Sequence, residues 1–129
     1  MNKKIMIVDD EQDILFSLKT LFERREYDVV TVDSGAKCIL ELEKGFSGIV
    51  LIDIMMPEMD GWDTIEEIVN RGLMQNIEIE VITGKGTKNH EKMIGFEPYI
   101  HDYLTKPFIP EKLLSTIDER LMHLTMEND

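Results

Sequence analysis

Five short apolar runs recur along the chain: "KIMIV" at 4–8, "DVVTV" at 28–32, "GIVLID" at 48–53, "IEIEVIT" at 77–83 and "DYLT" at 102–105. Each has strand length, and the stretches between them change period. Ile14, Leu15, Leu18, Leu21 and Phe22 make one stripe of an amphipathic helix. Ser34 is placed to cap a second helix through Cys38, Ile39 and Leu42, and Trp62, Ile65, Ile68 and Val69 mark a third. Residues 87–98, "TKNHEKMIGFEP", make only a weak helix, because Gly95 and Pro98 interrupt a short apolar set. Pro110 suits a first helical position, and Leu113, Leu114, Ile117, Leu121 and Leu124 carry a strong last helix. Strands alternating with helices predict an α/β fold, a mostly parallel sheet covered on both faces and joined by right-handed crossovers. The end of the chain, "TMEND", is polar, and a frayed tail is expected there.

The 129 residues suit one domain with a single core, spanning 1–125 ahead of a short tail at 126–129. The formal charge of −12 repels phosphate backbones and anionic lipid, which argues against direct nucleic-acid or membrane binding and leaves metal cations and basic protein surfaces. Cys38 is the single cysteine, so no internal disulfide forms, and its place in an apolar pattern predicts a buried thiol. No apolar stretch approaches the ~20 residues of a membrane span, and the start lacks a signal-peptide pattern. A cytoplasmic location is expected.

In an open parallel sheet, sites form beyond the carboxyl ends of the strands. The first strand runs into Asp9, Asp10 and Glu11, the third ends in Asp53, the fourth in Thr83, and the fifth in Thr105, Lys106 and Pro107. If Asp9, Asp10 and Asp53 lie about 5 Å apart, each pair repels by roughly 3 kcal/mol at an effective dielectric near 20. Three such pairs approach the whole stability of a domain, about 5–15 kcal/mol. Lys106 offsets part of this, and raised carboxylate pKa values or a bound hard cation must meet the rest. Mg²⁺ suits oxygen ligands of this kind. A carboxylate beside such an ion and a fixed ammonium is equipped as a nucleophile toward phosphorus.

These residues resemble the receiver domains of two-component response regulators, through "IVDDE" at 7–11, "LIDIMMPEMDG" at 51–61, "VITG" at 81–84 and "DYLTKPF" at 102–108. The resemblance covers essentially the whole chain. It implies a flavodoxin-like, doubly wound, five-stranded sheet of order 2-1-3-4-5 with five helices. It makes Asp53 the phospho-acceptor, Asp9 and Asp10 the acidic pair for Mg²⁺, and the Met55 carbonyl a further metal ligand. Thr83 becomes the switch hydroxyl, Tyr103 the switch aromatic, and Lys106 the phosphate-binding lysine before a cis bond to Pro107. The family takes its phosphoryl group from a histidine kinase or histidine phosphotransfer protein. It passes the signal to a downstream protein through the face of the fourth helix, fifth strand and fifth helix. A receiver of this kind catalyses only its own phosphorylation and slow dephosphorylation. Gly84 stands where alanine is common in the family, and Met55 and Lys85 occupy the positions that tune the lifetime of the phosphorylated state.

Taken singly, each element has a structural explanation: an acidic pair caps helices, and Lys-Pro and Asp60-Gly61 make turns. Met55, Met56 and Met59 fit loop packing, and His90, His101 and His123 lack metal-ligand spacing and are expected to be solvated. "TGKGTK" at 83–88 misses the phosphate-loop pattern. The coincidence of all four rim elements is what carries the signal. Three alternatives share part of it. A haloacid-dehalogenase-type phosphatase usually has a second aspartate where Met55 stands, and an FMN binder would need hydroxyls where Asp9, Asp10 and Glu11 stand. A phosphorylation-independent binding module would not need the full set. No output domain is expected within these residues, which leaves a stand-alone receiver or part of a longer regulator.

Overall fold

The computed structural model describes residues 3–84 and 94–127, with side chains as far as Leu124. Strands β1 (Lys4–Val8), β2 (Asp28–Val32), β3 (Gly48–Asp53), β4 (Ile77–Thr83) and β5 (Ile100–Thr105) form one sheet in the order β2-β1-β3-β4-β5. Every neighbouring pair is parallel. β5 starts at Ile100 rather than at Asp102, because its pairing with β4 slips at Ile79 and Glu80 and so extends back to Ile100.

Among the described residues the helices are α1 (Gln12–Glu23), α2 (Gly35–Glu43), α3 (Gly61–Asn70), a short α4 (94–96) and α5 (Pro110–Glu127). α1 buries Leu15, Leu18 and Phe22, the stripe its spacing predicts. Ser34 caps α2, its hydroxyl accepting the Lys37 N–H at 3.2 Å. α3 opens on a capping box in which Asp60 accepts the Asp63 N–H at 2.9 Å and Asp63 accepts the Asp60 N–H at 3.1 Å. The Asp60-Gly61 pair is therefore a helix start and not a free turn. Most of the helix expected over 87–98 lies outside the described residues, and a short 3-10 turn, Glu97–Tyr99, leads from α4 into β5. α5 continues to Glu127, past the expected tail boundary at 126, since no glycine or proline interrupts its last turn.

Two cores flank the sheet. Ile5, Ile7, Ile49, Leu51 and Ile82 pack beneath α1 and α5, and Met6, Val8, Val50, Ile52, Ile79 and Val81 beneath α2 and α3. Cys38 belongs to the second core, where burial pushes its thiol up to about 12. All six residues of β3 are buried. Its four central aliphatic side chains each contribute about 1.5–3 kcal/mol on burial. Strand β3 therefore holds its last residue, Asp53, in a fixed place at the rim. Among the described residues no helix is long and apolar enough to cross a membrane.

Candidate functional site

Asp53 ends the central strand and is 2% exposed, and Asp9 follows its neighbour β1 at 1% exposed. Each carboxylate is oriented by its own loop. The Met55 N–H donates to Asp53 Oδ1 at 3.0 Å, and the Glu11 N–H donates to Asp9 Oδ1 at 2.9 Å. The remaining oxygens face Lys106, whose Nζ lies 2.9 Å from Asp53 Oδ2 and 3.2 Å from Asp9 Oδ2, with Glu11 Oε1 at 3.9 Å. Lys106 is itself anchored by its N–H, which donates to the Thr83 carbonyl at 2.7 Å, and it precedes a cis bond to Pro107. One ammonium thus bridges two buried carboxylates at the end of the sheet.

The charges are not balanced by that bridge. Burial, with the Asp53 charge adding to it, pushes the Asp9 carboxyl up to about 6 against the pull of the Glu11 N–H and Lys106. Burial works against the Lys106 ammonium, but its bond to Asp53 and the fields of both aspartates outweigh it, and its pKa stands above the ordinary lysine value. Asp9, Asp10 and Asp53 each offer an oxygen within 4.8 Å of the others, an arrangement that could hold a metal ion. Thr83 ends β4 at 1% exposed, and its hydroxyl has no hydrogen-bond partner among the described residues. A buried hydroxyl without a partner costs about 1–3 kcal/mol, so it marks a place for an incoming acceptor. Beside the rim a cleft of about 480 Å³ is lined by Glu11, Ile14, Lys106 and Phe108.

A model of the response regulator receiver domain family matches residues 5–118. The chain belongs to that family. As a receiver domain it is 46% identical to a CheY-like response regulator receiver domain protein from Methanospirillum hungatei JF-1. That crystal structure aligns with a TM-score of 0.83 over 88% of this chain and 90% of the other. The alkaline phosphatase synthesis transcriptional regulatory protein PhoP of Bacillus subtilis (strain 168) is 34% identical over 113 residues, 88% of this chain and 46% of that protein. The response regulator SaeR of Staphylococcus aureus (strain USA300) is 36% identical over 120 residues, 93% of this chain and 51% of that protein. The receiver chain spans about half the length of these curated relatives.

Of the residues singled out in the sequence, Asp9, Asp10, Asp53 and Lys106 come together, with Thr83 at the end of the adjoining strand β4. The Met55 side chain is 59% exposed and turns away from the core, while its backbone N–H serves Asp53. Tyr103 is part-buried on β5 with its ring 6.4 Å from that of Trp62, which in turn stacks on Phe96 at 5.9 Å. Lys85 and His90 lie outside the described residues. Three residues of the receiver carry more than the sequence disclosed. Glu11 orients Asp9 through its backbone, Phe96 completes the aromatic stack, and Gly61 lies so close to the loop that an added Cβ would stand 2.8 Å from the Asp53 carbonyl oxygen. The Asp-Gly pair was the available signal for the last. His101, expected to be solvated, instead places Nδ1 2.8 Å from Glu80 Oε1. The β-bulge beside it, invisible in the hydrophobic pattern, is the reason.

Proposed function

We propose that this receiver domain accepts a phosphoryl group on Asp53 from a phosphohistidine of a sensor histidine kinase or histidine phosphotransfer protein, and hydrolyses it slowly. The observation that carries the proposal is the Lys106 ammonium bridging Asp53 and Asp9 beside a buried Thr83 hydroxyl with no partner. A carboxylate oxygen of Asp53 attacks phosphorus, the P–N bond breaks, and the electron pair stays on the departing imidazole nitrogen, which takes a proton. Lys106 holds a phosphoryl oxygen and Thr83 donates its hydroxyl hydrogen bond to another, both neutralising charge where it develops. Later a water attacks phosphorus, and the Asp53 carboxylate and inorganic phosphate result.

The hard oxygens of Asp9, Asp10 and Asp53, with the Met55 carbonyl, fit Mg²⁺, and the raised Asp9 pKa marks charge that such an ion would neutralise. When bound it supplies a counter-charge for the transferring phosphoryl group. Movement of Thr83 toward the phosphoryl group and rotation of Tyr103 would then alter the face built from α4, β5 and α5, where a downstream protein binds. Chain charge supports a protein partner rather than nucleic acid, and residues 1–125 form the signalling module. An aspartate-nucleophile phosphatase is disfavoured because position 55 offers only an exposed thioether.

The test compares wild type with Asp53→Asn under acetyl phosphate, or BeF₃⁻, with Mg²⁺, following the fluorescence of Trp62. Wild type is expected to respond and the variant not to. An equal response in both would remove Asp53 from its assigned role.

A further inference from the structure

At the opposite end of β4 lies a second cluster that the signalling chemistry does not use. Glu78 and Glu80 alternate with apolar residues onto the α5 side of the strand, and the bulge in the β4–β5 pairing sets His101 beside them. The Glu80 side chain is 1% exposed. Its Oε1 lies 2.8 Å from His101 Nδ1, and its Oε2 has no hydrogen-bond partner among the described residues. Glu78 uses Oε1 for Arg120 of α5, at 2.7 Å from Nε and 2.6 Å from Nη2, and its Oε2 is likewise buried without a partner among the described residues. Two neighbouring carboxylate oxygens buried without donors need an explanation.

We propose that Glu78, Glu80 and His101 form a site for a divalent transition-metal ion of the zinc type. One ligand atom from each lies within 4.8 Å of the others, a spacing that a single ion can share. An imidazole with two carboxylates selects zinc-like ions over magnesium, and three protein ligands leave a position for water. A cavity of about 310 Å³ lined by Glu78 and His101 supplies the entry path. Arg120 acts as the outer support that orients Glu78. A bound ion would clip β5 to β4 at the foot of the face that carries α5.

The experiment is calorimetric titration of Zn²⁺ into the full chain carrying Asp10→Ala, with Mg²⁺ in excess so that the acidic rim does not compete. One Zn²⁺ is expected to bind, with affinity at least ~10-fold lower after His101→Ala and again after Glu80→Gln. Co²⁺ in the same protein should show visible absorption that disappears in both variants. His101 is 35% exposed at its side chain, so its replacement is compatible with folding, which circular dichroism verifies. Unchanged Zn²⁺ binding in the two variants, or none in the parent, overturns the proposal.

Discussion

At the scale of single residues, two buried acids oppose the fold once they ionise. Burial raises Asp9 from 3.8 to about 6, and burial together with Glu78 and Asp102 raises Glu80 from 4.5 to about 8. An acid held above its ordinary value binds a proton more readily folded than unfolded, so its contribution is present at low pH and lost as pH rises through the folded value. For Asp9 the loss is on the order of 3 kcal/mol at most, at about 1.36 kcal/mol per pKa unit. In EDTA, urea unfolding of wild type should therefore weaken relative to Asp9→Asn between about pH 4 and 6. Relative to Glu80→Gln, the weakening should extend to about pH 8. Mg²⁺ should restore the first loss and not the second. A difference from either variant that stays constant with pH would refute that acid's part. Asp9 was legible in the sequence because it follows a strand that points at the rim. Glu80 was not, because an acid inside "IEIEVIT" looks like the solvent half of an alternating strand until its neighbours cover it.

At the scale of elements, the first four strands were legible almost to the residue, and α1, α2, α3 and α5 by the apolar stripes that they bury. What the pattern missed were contacts that depend on a neighbouring element. The early start of β5 depends on its slipped pairing with β4, and the start of α3 depends on its approach to the β3 loop. That approach makes a sharp prediction. A Cβ at residue 61 would meet Ile54 Cα at 2.7 Å and the Asp53 carbonyl oxygen at 2.8 Å, so Gly61→Ala must push α3 away from the loop that follows Asp53. It should cost about 1–3 kcal/mol, the range for overpacking, and slow phosphorylation from acetyl phosphate as well. Asp60→Ala removes the cap alone and should cost about 1 kcal/mol while leaving the loop after Asp53 in place. Thermal unfolding beside phosphorylation rates separates the two. If Gly61→Ala phosphorylates like Asp60→Ala, the helix does not set the loop.

At the scale of the whole molecule, 26 acidic side chains against 14 basic ones give a net charge of −12. Surface ion pairs such as Lys37–Asp33 and Arg71–Glu67 relieve little of it, because exposed pairs contribute about 0–1 kcal/mol each. Self-repulsion should make the fold more stable as ionic strength rises, measured by the thermal midpoint in potassium chloride with EDTA present. A midpoint that falls with salt would show that paired charges, not the net charge, dominate. The fold and the rim were legible at this scale because every rim group sits at a strand end, where topology alone brings distant residues together. The exchange of partners within the rim, Lys106 between two aspartates and Thr83 with none, needed coordinates.

Cys38 gives the molecule a clock. Its thiol is fully covered and held near 12, so a thiol reagent such as DTNB can react only when α2 and the core beneath it open. Labelling of the native protein should be far slower than in urea, and its rate should track the opening of that half of the molecule. Any cysteine added at the surface for a fluorophore should then react first, with the native thiol left as an internal timer. Rapid labelling of wild type under native conditions would mean that this half of the core opens freely.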